Sequence, residues 1–252
     1  VVHEAIESVL RRLQGSAEGG DLLFAAPTFD VDEEVTKVTE RMRQDWRTSR
    51  GAGYRNRPKK VFGLMEHEYE DEIPDSDWKK VNARATKGIR DFLESDLFAE
   101  IKNSDPSTWL PIEKLDQFDF EGTPIWAVLD FGWTKPDGSV EIYDWKTGEM
   151  KKDAYRMQLG TYALYMGASR DLGPADVRTR LVFLGDEMHI LDIPVTDEDL
   201  AWTRAQIRES IASMRGRLED PATNVARKED FPKTEDLTKC KECKFRRLCD
   251  RV

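Results

Sequence analysis

The chain has 252 residues, of which 39% are hydrophobic and 35% charged, and its formal net charge is −10. That composition fits one large globular domain, or one domain with appendages, and no run approaches the roughly 18 apolar residues a membrane-spanning helix needs. Three cysteines are too few for a disulfide scaffold.

In chain order, Val2, Ile6, Val9 and Leu13 recur at helical spacing and predict an amphipathic helix over 1–13. Gly15 is expected to stop it, and Ser16 to Gly20 reads as a connector. A second helix is predicted over 31–47, opened by Asp30 and Asp32 and broken at Gly51-Ala52-Gly53. A third is predicted over 78–98, with Val81, Ile89, Phe92 and Leu93 as its apolar stripe. The texture then turns to β-branched and aromatic residues, predicting strands over 109–115, 125–133 and 140–145. Lys135-Pro136-Asp137-Gly138 is a hairpin turn between the last two. A helix over 153–166, a strand pair over 177–184 and 188–193, and a helix over 198–218 follow. Thr196 or Asp197 is available as the N-cap of that last helix. The fold class is therefore α/β, a central mixed sheet flanked by helices. Residues 1–100 form a helical N-terminal part, 101–220 the core, and 221–252 a small cysteine appendage.

Charge is distributed unevenly. Residues 41–60 carry eight Arg or Lys against the single Asp45, a net +7. Residues 239–251 carry a further +4. Trp46 and Tyr54 are interleaved in the first tract, a pattern suited to a phosphate backbone and its bases. The alternative is a solvated helix face. The overall acidity opposes general nucleic-acid binding. The two basic tracts oppose that conclusion in turn.

Asp130 falls near the end of an apolar strand, where a charge needs a partner such as a metal. Asp144 and Lys146 stand at i and i+2 on the next strand, so they share a face. The hairpin turn makes the strands neighbours. Two carboxylates and an ammonium then converge, a set suited to Mg²⁺ or Mn²⁺ and a water nucleophile. Trp145 between them offers its backbone carbonyl to the metal. Gln158 and Tyr162 stand at i and i+4 on one face of the following helix. Cys240, Cys243 and Cys249 make a CxxC-x5-C arrangement with basic neighbours, which reads as a metal or cluster site in a reducing compartment. Glu66, His67 and Glu68 read as a charged segment beside the sheet.

Asp130 followed by Asp144-Trp145-Lys146 resembles the D…(D/E)xK signature of the PD-(D/E)XK nuclease superfamily. Gln158-Leu159-Gly160-Thr161-Tyr162 looks like the QxxxY motif of its RecB-type group. That group includes AddB and the CRISPR-associated exonuclease of spacer acquisition. The resemblance runs from His3 to Cys249. It implies a restriction-endonuclease-like core and a metal-dependent DNA nuclease, an exonuclease acting on ends or single strands. It implies His3 as a metal ligand on an early helix, and Glu113, on the strand before Asp130, as the upstream acid. It also implies that Gln158 and Tyr162 shape the site and contact DNA. The three cysteines would join an upstream fourth, expected N-terminal to His3, to hold a 4Fe-4S cluster. A zinc site completed by His67 or His189 is the runner-up. DNA is the expected partner, with a helicase or recombinase as possible protein partners, no membrane, and a cytoplasmic setting. The alternative function is a catalytically idle DNA-binding or assembly subunit.

Overall fold

The computed structural model describes residues 1–18, 28–69, 72–148, 155–241 and 243–249. Gly19 and Gly20 of the expected connector, Asp153 at the expected start of the helix after the hairpin, and Glu242 between two cysteines lie outside the described residues. The elements begin with α1 (Val2–Glu18), α2 (Val31–Arg50), the one-turn helices α3 (Gly53–Asn56) and α4 (Met65–Glu68), α5 (Asp75–Leu93) and α6 (Asp96–Asn103). Strands β1 (Leu115–Phe120), β2 (Thr123–Val128), β3 (Phe131–Thr134) and β4 (Val140–Lys146) follow. Then come α7 (Arg156–Arg170), β5 (Val177–Phe183), β6 (His189–Asp192), α8 (Asp197–Arg215), β7 (Leu218–Asp220), β8 (Val225–Ala226) and α9 (Thr238–Lys241). The chain divides into two compact units, residues 1–44 with 74–203 and residues 45–73 with 204–252.

The first unit is built on a four-stranded sheet in the order β3-β4-β5-β6. β4 pairs antiparallel with β3 and parallel with β5, and β6 returns antiparallel to β5. The sheet is therefore mixed, as the alternation of strand and helix predicts, with α7 as the connection that a parallel pair requires. Along β4 the side chains alternate. Tyr143 and Trp145 enter a core with Ile6, Val9 and Leu10 of α1, Val38 of α2, Ile89 and Phe92 of α5, and Phe98 and Ile101 of α6. Trp145 lies 5.1 Å from the Phe92 ring. Asp144 and Lys146 consequently point to the opposite face, where Leu159, Tyr162, Ala163 and Met166 of α7 are buried.

Local signals account for the places where the elements depart from the apolar pattern. α1 runs past Gly15 to Glu18, since an interior glycine weakens a helix by only about 1 kcal/mol. The expected helix over 78–98 is two helices. Ser95 interrupts it, its hydroxyl accepting from the Phe98 amide at 3.1 Å as an N-cap. At α8, Thr196 is the cap. Its hydroxyl accepts from the Asp199 amide at 3.1 Å, and Asp199 accepts from the Thr196 amide at 3.0 Å.

The expected strand over 109–115 is not one. Trp109 makes an isolated antiparallel bridge to Trp133, Leu110 donates to the Gly132 carbonyl at 2.8 Å, and Glu113 donates to the Leu129 carbonyl at 2.9 Å. Pro111 has no amide to give a ladder. Glu113 sits at φ +46, which a strand cannot contain. Regular pairing begins at Leu115, opposite Val128. The expected strand over 125–133 is likewise divided, with Leu129 and Asp130 between β2 and β3. The result is one long hairpin from Trp109 to Trp133, interrupted on both strands at the same level.

The second unit gathers Arg47, Arg50, Arg55, Arg57, Lys59 and Lys60, all exposed, together with the cysteine appendage. Glu68 joins the two basic tracts within it. Its carboxylate accepts from Tyr54 Oη at 2.6 Å and pairs with Arg55 at 3.1 Å and with Arg247. Tyr69 stacks under Arg246, 3.9 Å from ring centroid to guanidinium carbon. Trp46 packs edge-on against His67, and Arg50 lies over its ring. Both interleaved aromatics are therefore engaged in packing. His67 Nδ1 is 2.8 Å from the Ser49 hydroxyl.

Gly160 is where α7 meets α8. A Cβ at this position would lie 2.1 Å from Thr203 Oγ1 and 3.0 Å from Thr203 Cβ. We expect Gly160→Ala to destabilise the chain by about 1–3 kcal/mol, the usual cost of overpacking. Chemical denaturation measures it. Gly160→Ala with Thr203→Ala should recover much of the loss.

Candidate active site

Each site residue is placed by the fold just described. His3 is the second residue of α1. Glu113 and Asp130 stand at the two interruptions of the long hairpin. Asp144 and Lys146 come from β4, and Gln158 and Tyr162 from α7.

Asp130 precedes Phe131, which pairs with Tyr143 across the sheet. Its carboxylate therefore reaches β4, where Oδ2 accepts from the Trp145 amide at 2.7 Å. His3 Nδ1 lies 3.7 Å from the same Oδ2 and 3.9 Å from Glu113 Oε1. Donor atoms of His3, Glu113 and Asp130 all lie within 4.8 Å of one another, as a metal-binding group requires. Asp144 is not part of that group. Only 2% exposed, it accepts at Oδ1 from Gln158 Nε2 at 2.8 Å and from Tyr162 Oη at 2.9 Å. Its Oδ2 forms an ion pair with Lys146.

Gln158 couples the strand pair to the helix. Its Oε1 accepts from Lys146 Nζ at 2.8 Å, and its Nε2 also donates to Tyr162 Oη at 2.7 Å. Lys146 Nζ further lies 4.7 Å from the centre of the Tyr155 ring. The sequence places Tyr155, with Leu159 and Met166, in a core stripe rather than at the site. Its only signal was a position three residues before Gln158, one helical turn away. Glu113 lies beside His3 and Asp130, and it does so from a left-handed turn rather than from a strand.

Electrostatics fit a cation. Burial and the neighbouring Asp144 push Asp130 up to about 8. Burial, with Glu7 and Asp144, also raises Glu113. Burial lowers His3, so its imidazole is neutral and free to ligate. Burial and Asp144 drive Tyr162 far above the ordinary phenol range, so it stays a neutral donor. Three carboxylates stand against one lysine in a largely buried place, an excess of negative charge that a cation would offset. Two oxygens and an imidazole are a donor set for Mg²⁺ or Mn²⁺.

The model of the PD-(D/E)XK nuclease superfamily matches residues 1–250 of this sequence. The chain belongs to the PD-(D/E)XK nuclease superfamily. Members of that superfamily are in general metal-dependent nucleases. No curated protein matches the sequence. A solved structure titled "Crystal structure of SSO0001" aligns over 98% of this chain and 97% of its own, at 17% identity and a TM-score of 0.37. No described helix of this superfamily member is long and apolar enough to cross a membrane.

The raised Asp130 sets a pH dependence. In the unfolded chain this carboxyl ionises near its ordinary value, about 4. Between there and about 8 only the folded state holds the proton. Metal-free stability therefore falls as pH rises through that window. We expect Asp130→Asn to stabilise the metal-free chain more at about pH 9 than at about pH 5. Denaturation midpoints in chelator measure this. Calorimetric titration with Mn²⁺ should also show affinity rising with pH, since binding must displace the proton.

Proposed function

We propose that the chain is a divalent-metal-dependent deoxyribonuclease of the RecB type, hydrolysing phosphodiester bonds at DNA ends or in single strands. The observation that carries this reading is the His3–Glu113–Asp130 donor group beside the Asp144–Lys146–Gln158–Tyr162 network. In the proposal His3, Glu113 and Asp130 hold the cation, with Asp144 and the Trp145 carbonyl adjoining. A divalent cation bound there would supply a Lewis acid for the scissile phosphate and lower the pKa of an attacking water.

The remaining chemistry belongs to side chains of this chain. Lys146 orients the attacking water as a donor and offsets charge developing on the phosphate. Gln158 and Asp144 hold the ammonium in place for that task. Tyr162 keeps Asp144 oriented and presents no charge of its own to the DNA. The retention of Asp130, Asp144 and Lys146 together favours an active enzyme over an idle assembly subunit.

For the appendage we propose that Cys240, Cys243 and Cys249 hold three corners of a 4Fe-4S cluster. The Cys243 amide donates to the Cys240 carbonyl at 3.2 Å, and Cys243 Sγ accepts from the Phe245 amide at 3.4 Å. Among the described residues no cysteine belongs to a group of three donors within 4.8 Å.

Labelled single-stranded and duplex DNA with Mn²⁺ tests the nuclease reading. Lys146→Ala and Asp144→Asn should each lower cleavage by at least about 100-fold while the protein stays folded. Equal cleavage by wild type and Lys146→Ala would remove the assignment. For the appendage, anaerobically purified protein should carry iron and acid-labile sulfide with broad visible absorbance. Cys243→Ser should lose both. Stoichiometric zinc without iron would overturn the cluster proposal.

A further inference from the structure

The outer face of the β1–β2 hairpin carries apolar surface that the fold does not use. The inner face is committed. Phe118 and Phe120 are buried, the Phe118 ring lies 6.3 Å from that of Tyr165, and Tyr165 Oη donates to Asp116 at 2.9 Å. The strand register puts Leu115, Gln117, Trp126 and Val128 on the opposite face. There Trp126 is 58% exposed and Leu115 59%. Trp126 is the most exposed aromatic side chain among the described residues of the first unit. Gln117 stands directly across from it. An indole on a hairpin, more than half exposed and with an amide beside it, is an expensive surface to leave in water.

Its location says what it would serve. Both strands of this hairpin run directly into the site. Leu115 is two residues from Glu113, and Trp126 is four residues from Asp130. Extended chain spans at most about 3.6 Å per residue, so these separations are at most about 7 and about 14 Å. A nucleic-acid strand whose phosphate rests at the donor group thus has this face within a few nucleotides. Aromatic side chains bind unpaired bases by stacking, whatever the base, because every base has a π-face. A duplex has no free base faces to offer there. We propose that Trp126 is a positioning residue on which an unpaired base of the substrate strand stacks, with Gln117 and Leu115 flanking it. The hairpin would then select single-stranded DNA at the site. This rests on the nuclease reading for the identity of the strand, but its test does not require cleavage.

The experiment measures binding of a labelled single-stranded oligonucleotide by fluorescence anisotropy, in Ca²⁺ and with Lys146→Ala as the background. Trp126→Ala should weaken binding by about 5- to 100-fold, the range for loss of one stacked base, and Trp126→Phe should restore most of it. Binding of blunt duplex should change little. A set of oligonucleotides, each with one abasic nucleotide, adds a readout that a structural defect would not move. One register should cost the Trp126-containing protein affinity and cost Trp126→Ala nothing further. The proposal is overturned if Trp126→Ala binds single strands as tightly as its parent, or if the abasic penalty is the same in both. It is also overturned if Trp126→Ala changes only self-association. Absence of Mn²⁺-dependent cleavage by wild type, with the stacking register intact, would instead remove the nuclease reading alone.

Discussion

Everything at the site depends on one hydrogen bond, from the Trp145 amide to the Asp130 carboxylate at 2.7 Å. It joins the loose end of the long hairpin to the most buried strand of the sheet. On one side of that joint Trp145 is locked into the aromatic core between Phe92, Phe131 and Tyr143. On the other, Asp130 stands beside His3 and Glu113. Position is thus transmitted from the core to the carboxylate through a backbone group, which has no rotamers to lose. The same bond offsets part of the cost of burying Asp130, though not enough to return its pKa to normal.

Much of the site was legible because strand and helix periodicities are rigid rules. Asp144 and Lys146 at i and i+2 had to share a face, and Gln158 and Tyr162 at i and i+4 had to share another. A mixed α/β sheet followed from the order of periods. Glu113 was harder. Its neighbours Trp109, Leu110 and Ile112 read as strand, and only Pro111 hinted at an interruption. The left-handed turn that aims its carboxylate has no signature in a glutamate. The division of labour between the carboxylates was also hidden. Asp144 looks like a ligand equal to Asp130 in the sequence, yet here its two oxygens face α7 and Lys146, and the tight donor group draws on Glu113 instead. Distances between three elements decide that, and no spacing along the chain contains them. The split of the helix at Ser95 was visible in principle, since a serine before Asp96 is an N-cap signal.

The net charge of −10 conceals an arrangement of opposite purposes. The acids of the candidate site, Glu113, Asp130 and Asp144, lie in the first unit, where they perturb one another. The basic tracts belong largely to the second unit, where Glu68 pairs with Arg55 and Arg247 while Arg47, Arg50, Arg57, Lys59 and Lys60 are exposed. A formal charge count weighs these groups equally. Solvent screening does not, because exposed charges are damped by salt and buried ones much less so.

Gln158 has a further implication. A lysine ammonium only donates, and an ionised carboxylate only accepts. The residue between Lys146 and Asp144 must therefore present an oxygen one way and an N–H the other. A glutamate there would set a fourth anion against Asp144, and a lysine would set two cations face to face. A primary amide is the side-chain group of that length with both polarities, and each end dictates the orientation of the other. The glutamine thus works as a keyed spacer, which fits between these two groups in one sense only and keeps proton donor and acceptor from exchanging places.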